Sequence, residues 1–99
     1  MENQHRKISG YRELTQEEID LMNEIKAFGP QLEALCDKVK DHINLQFERA
    51  YGDSPETANA DEMARLHAAD PKHWEGWGRS SAQAVLMYLT RAVAQPTFF

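Results

Sequence analysis

The sequence predicts an all-α protein, a short antiparallel helical hairpin carrying a basic N-terminal arm and assembling as a homo-oligomer. Apolar residues recur at three-to-four spacing over two long stretches, helix-start signals stand at Thr15 and at Asp70-Pro71, and no segment alternates with a period of two. At 99 residues the chain makes one helical domain, 1–99: an arm (1–14), a first helical region (15–49), a connector (50–70) and a last helix (71–95).

The arm, His5-Arg6-Lys7-Ile8-Ser9-Gly10-Tyr11-Arg12, is basic and holds one aromatic residue. Held against a folded surface, such a segment grips phosphate and stacks a base; left loose, it is a solvated tail. Arg6, Lys7 and Arg12 against Glu2 give the first twelve residues a charge of +2, so the other 87 carry -7 of the total of -5. That balance argues against duplex nucleic acid as a partner, since binding it normally takes an extensive cationic face. A small anion at a local patch is compatible with it.

The first helical region starts at Thr15-Gln16-Glu17-Glu18, which reads as a capping box. Ile19, Met22, Ile25 or Lys26, and Phe28 share a face, and Leu32, Leu35, Val39 and Ile43 extend it past Gly29-Pro30. Proline removes a backbone donor and clashes with the preceding turn, so the expectation is a first helix kinked or broken near residue 29. A break would place Pro30 in the first turn of a second segment. The connector carries Gly52, Ser54-Pro55 and Asn59, with enough helix formers from Ala60 to Ala69 for a short helical turn or two. In the last helix Asp70 is the expected N-cap and Pro71 the first helical residue. Trp74, Trp77, Ser81, Val85 or Ala84, Tyr88 and Ala92 share one face, Leu86, Leu89 and Val93 widen it, and Pro96 ends it. Two helices cannot cover so wide a stripe, and self-association into a symmetric oligomer is the simplest way to bury it.

Several function classes find no support. No run approaches the roughly 18 to 20 apolar residues that cross a bilayer, and the polar N-terminus lacks the apolar core of a signal peptide, so a cytosolic protein without a membrane partner is expected. Cys36 is a lone cysteine, and with four scattered histidines it forms no metal-ligand spacing. No metal and no cofactor are therefore expected. Glu17, Glu18, Asp20 and Glu24 suit a capped first turn better than a catalytic centre. His42, His67 and His73 lack a nucleophile at readable spacing, and Ser80-Ser81 has neither a GxSxG context nor a paired lysine. The expectation is a protein that is not an enzyme.

The arm then competes with simpler readings. Tyr11 alone can pack on Met22 or Leu21 as a staple for the helix start, and Lys26 alone can be a surface lysine. Lys26 lies three turns along the helix that Tyr11 introduces, on the order of 16 Å away, too far for both to clasp one mononucleotide within a single chain. Two chains packed antiparallel bring Tyr11 of one beside Lys26 of the other.

The run from His5 to Lys26, His-Arg-Lys-Ile-Ser-Gly-Tyr-Arg-Glu-Leu-Thr-Gln-Glu-Glu-Ile-Asp-Leu-Met-Asn-Glu-Ile-Lys, resembles the N-terminal hairpin of the phage anti-CBASS cyclic-oligonucleotide sponges. The stretch Arg79-Ser80-Ser81-Ala82-Gln83 to Arg91-Ala92-Val93-Ala94-Gln95-Pro96 is similar, more loosely, to that family's last helix. The resemblance implies a protein of the infected bacterial cytoplasm that binds cyclic nucleotide messengers and withholds them from CBASS effectors without cleaving them. It implies a homohexamer with cyclic dinucleotide pockets between paired chains, where Tyr11 stacks on a base and Lys26 contacts phosphate, with Arg12 as a further ligand contact. Separate three-fold pockets for cyclic trinucleotides are implied too, with Arg79 as the phosphate contact. The chain departs from the family pattern at Phe28-Gly29-Pro30, where the family's helix usually continues without proline. The main alternative is a helical adaptor that binds a protein through its apolar face and Trp74-Glu75-Gly76-Trp77; single-stranded RNA binding through the arm is a third possibility that the net charge disfavours.

Overall fold

The computed structural model describes residues 12–98, so Tyr11 and the rest of the opening segment lie outside the described residues. Three helices follow in order, α1 (Gln16–Tyr51), α2 (Ala60–Ala69) and α3 (Pro71–Ala94), and the described residues contain no strand. The all-α class is what the sequence predicts. Among the described residues, no helix is long and apolar enough to cross a membrane.

The capping box at the start of α1 forms as its residues dictate. The Thr15 hydroxyl accepts from the Glu18 N–H at 3.2 Å, and Glu18 Oε1 accepts from the Thr15 N–H at 2.8 Å. Two backbone donors that the helix geometry orphans are thereby satisfied. Beyond it, α1 departs from one expected outcome. The helix runs unbroken for 36 residues with Pro30 inside it, so Gly29-Pro30 does not divide it and Pro30 opens no second helix. Proline deletes a single hydrogen bond of the ladder, and helix segments that are packed on both sides of that gap can carry the helix through it.

The end of α1 needs its glycine. Gly52 has φ +65° and donates to the Glu48 carbonyl at 3.0 Å, the left-handed C-terminal cap for which glycine is suited. A Cβ there would collide with the Thr57 hydroxyl and stand 2.8 Å from the Thr57 carbonyl oxygen. That hydroxyl is held in place as acceptor for the Asp53 and Ser54 N–H groups at 2.9 and 3.0 Å. Within the connector, Asn59 caps α2 by accepting from the Glu62 N–H at 3.0 Å. The cap and the Ala-rich run that follows support a full ten-residue helix, more than the expected turn or two.

Asp70 does not act as the expected side-chain N-cap of α3. It sits in the left-handed region (φ 52°, ψ 54°), where its N–H closes α2 on the Leu66 carbonyl at 2.9 Å and its own carbonyl accepts from His73 at 3.2 Å. One residue thus ends one helix and receives the first backbone bond of the next. Aspartate tolerates this geometry because its short polar side chain lowers the cost of left-handed backbone.

The chain divides into two compact units, one formed up to Gln31 together with Ala82 onward, the other by Leu32–Ser81. In the second unit Ile43, Ala50 and Leu66 are buried, at 5%, 1% and 1% exposure. Around them Tyr51 Oη lies 2.7 Å from His67 Nε2, Phe47 meets the His67 ring edge-on at 5.7 Å, and Lys72 Nζ stands 4.7 Å from the centroid of the Phe47 ring. In the first unit no described side chain is fully buried.

Candidate functional site

The candidate site lies in the first unit and is built from the two ends of the chain. Glu18, fixed by its capping role, also receives the Arg12 guanidinium: Nη1 donates to Oε1 at 3.0 Å and Nη2 to Oε2 at 2.5 Å. The same Nη2 donates to the Val93 carbonyl at 2.7 Å, tying the start of α1 to the last turn of α3. The Arg12 guanidinium, helped by the Thr15 N–H and hydroxyl, lowers the Glu18 carboxyl to about 2, and Glu18 raises Arg12 above its ordinary value. The Arg12 guanidinium, which the family resemblance makes a ligand contact, is engaged in this structure by Glu18 and a backbone carbonyl.

Beyond this clamp, an open groove of about 750 Å³ is lined by Met22, Asn23, Ile25 and Lys26 of α1, by Leu86, Met87, Thr90, Arg91 and Ala94 of α3, and by Pro96. Its walls follow from helical spacing. Met22, Ile25 and Lys26 fall on one face of α1, and Leu86, Thr90 and Arg91 on one face of α3. The Thr90 hydroxyl donates to the Leu86 carbonyl at 2.8 Å, which commits its one hydrogen to the helix backbone. A second hollow of about 280 Å³, lined by Leu14, Ile19, Met22 and Asn23, shares two residues with the first.

The C-terminal residues reach the groove by a turn. Gln95 takes φ 54° and donates to the Arg91 carbonyl at 2.7 Å, ending α3; Pro96 then lines the groove and the Phe98 carbonyl accepts from Arg91 Nη2 at 2.9 Å. Gly29 belongs to the same unit, and a Cβ on it would meet Leu86 Cδ1 at 3.7 Å, an ordinary contact.

Electrostatics set this groove apart. Its ten lining residues include two cations, Lys26 and Arg91, and no carboxylate, in a chain of net charge -5. Lys26 makes no hydrogen bond or ion pair with any described residue. An apolar floor with cations at its margin suits a ligand that joins a flat or apolar body to negative charge. The volume falls within the roughly 300–1,000 Å³ usual for small-molecule sites.

The expected site residues therefore part company. Lys26 lines the groove, Arg12 clamps the start of α1, and Tyr11 lies outside the described residues. Arg79 belongs to the other unit, where it donates to Asp37 Oδ1 and to Glu75 Oε2, each at 3.0 Å. These two acids, Asp37 first, raise its pKa further. Sequence reading did not single out Arg91, whose one legible signal is its place as the last cation before the helix-ending Pro96. No group of three or more His, Cys, Asp or Glu among the described residues is placed to hold a metal ion.

No protein-family model matches the chain. A whole-length relative does: the chain is 41% identical over 105 aligned residues to "Anti-CBASS protein 2" of Pseudomonas phage JBD67, the alignment covering 97% of each protein. Identity at this level over nearly the full length of both chains shows that the chain belongs to the anti-CBASS protein 2 family.

Proposed function

We propose that this protein is a messenger sponge: it binds cyclic oligonucleotides made by bacterial antiviral synthases, holds them without cleaving them, and so keeps CBASS effectors inactive in the cytoplasm of the infected host. The observation that carries this reading is the groove beside Lys26, acid-free and cationic in an acidic chain whose relative is named for opposing CBASS. A cyclic dinucleotide presents two bases and two phosphates with approximate two-fold symmetry. A two-fold pair of chains meets it with the same residues twice. In this reading Tyr11 stacks on a base, which contributes roughly 1 to 3 kcal/mol per base and tolerates base identity, while Lys26 of the neighbouring chain meets a phosphate.

The pairing of copies is part of the proposal. Among the described residues three apolar side chains are buried, while Met87 and Tyr88 on α3 are 68% and 70% exposed, which supports a homo-oligomer of hairpin protomers, a hexamer by family resemblance. A separate cyclic trinucleotide pocket with Arg79 as its phosphate contact belongs to the same reading; there a phosphate would compete with Asp37 and Glu75 for the guanidinium.

Calorimetric titration with a panel of cyclic di- and trinucleotides tests the proposal. Y11A and K26A are each expected to abolish cyclic dinucleotide binding while light scattering shows an unchanged oligomer; full retention of binding in both variants would overturn the site. Protease treatment of the complex should return unmodified nucleotide, and linear products would make the protein a phosphodiesterase. The adaptor reading keeps one observation in its favour: Trp74 and Trp77, with rings 5.5 Å apart, are 60% and 59% exposed. No heat with any cyclic nucleotide, together with a protein that co-purifies, would favour it.

A further inference from the structure

We infer that Arg91 is a second phosphate contact in the Lys26 groove, reached by a cyclic dinucleotide that displaces the Phe98 carbonyl from the guanidinium. The inference rests on the messenger-sponge reading and adds a residue that the N-terminal motif does not contain. Its first support is elimination among cations. The described part of this unit holds three of them, Arg12, Lys26 and Arg91, and Arg12 is neutralised by Glu18. The other two line the same groove, with no carboxylate among its walls.

The second support is the strength of what now holds Arg91. Its Nη2 donates to a neutral backbone carbonyl at 2.9 Å. Hydrogen bonds between a guanidinium and an anion are about twice as strong as neutral ones, and a planar guanidinium matches phosphate with two parallel donors. Exchanging the Phe98 carbonyl for a phosphate oxygen is therefore favourable, and the displaced carbonyl lies in an exposed stretch where water can satisfy it. Lys26, a flexible point charge, and Arg91, a planar fork, then share the phosphate that each chain of the two-fold pair meets, with Met22 and Leu86 as apolar contact for the adjoining base.

The test is calorimetry with cyclic GMP-AMP at several salt concentrations on wild type, R91Q, R91K and R65Q. Arg65 pairs with Glu62 in the other unit and is not a groove residue, so R65Q makes the same change in net charge without altering the groove lining. R91Q is expected to weaken binding by on the order of tenfold or more and to flatten its salt dependence, R91K to lose less, and R65Q to bind as wild type. In wild-type protein the Arg91 side-chain N–H resonances should shift on titration, a readout that needs no variant to fold. Tight wild-type binding with unmoved Arg91 resonances, or equal losses in R91Q and R65Q, overturns the inference and leaves the sponge reading standing. Absence of binding to wild type overturns both.

Discussion

The two compact units use their charged and apolar residues in opposite ways. In Leu32–Ser81 the three fully buried side chains, Ile43, Ala50 and Leu66, gather with a ring cluster around His67, and Arg79 and Arg65 are both matched to carboxylates. The unit formed by the two ends buries no described side chain fully, keeps one tight clamp at Arg12–Glu18, and sets Lys26, without an ion pair to any described residue, beside an open groove. An exposed apolar groove with a cation beside it is a surface that a ligand or partner can use. Under the proposed function, the contrast gives folding stability mainly to one unit and ligand capture to the other.

The largest effect expected from that division is at Leu66, 1% exposed in the second unit. Leu66→Ala should destabilise the protein by about 2–5 kcal/mol in urea denaturation while the folded fraction binds ligand as wild type. A loss of affinity without a loss of stability would dissolve the distinction between the units.

The clamp in the other unit is expected to matter less. Thr15→Ala removes the acceptor for the Glu18 N–H and should cost about 1 kcal/mol in the same measurement. Acid probes the same place. Glu18 titrates at about 2 in the fold and near 4.3 in an unfolded chain, so the unfolded state takes up its proton first as pH falls. Its stabilisation is complete above the unfolded value and is lost as pH falls toward the folded one. The stability difference between wild type and E18Q should be present at neutral pH and shrink between pH 4 and 2; a difference that is flat across this window would remove the clamp from the account.

The smallest effect is a gain. Gly29→Ala adds a methyl with 3.7 Å of room to Leu86 Cδ1 and should raise stability by up to about 1 kcal/mol. Thermal melting that shows a decrease instead would mean that the stretch before Pro30 relies on glycine's backbone freedom.

Much of the helical pattern was legible because its causes are local. Thr15 and Glu18 lie within one helical turn, so their exchange of hydrogen bonds depends on few other residues, and Pro71 opens α3 through its own fixed φ. Reading failed where two local signals compete or where distant packing decides. Asp70 is a sound N-cap by composition, but a helix that ends on it takes its backbone into the left-handed region. Pro30 signals a kink or a break by propensity, and of the two the break does not occur: α1 passes through it. The partners of Arg12 and Arg79 were hidden for the same reason: Glu18 lies six residues from Arg12, and Asp37, which joins Glu75 on Arg79, lies forty-two residues from it.

By itself, the sequence determined the helical class, the start of α1, the acidic balance with a basic arm, and, through its resemblance, the family, because each is written in neighbouring residues or in a linear run. Only the tertiary structure decided which cations line the groove. Lys26 and Arg91 are 65 positions apart, and their joint presence on one carboxylate-free groove arises from the packing of α1 against α3 within one unit, a long-range arrangement that no local spacing encodes.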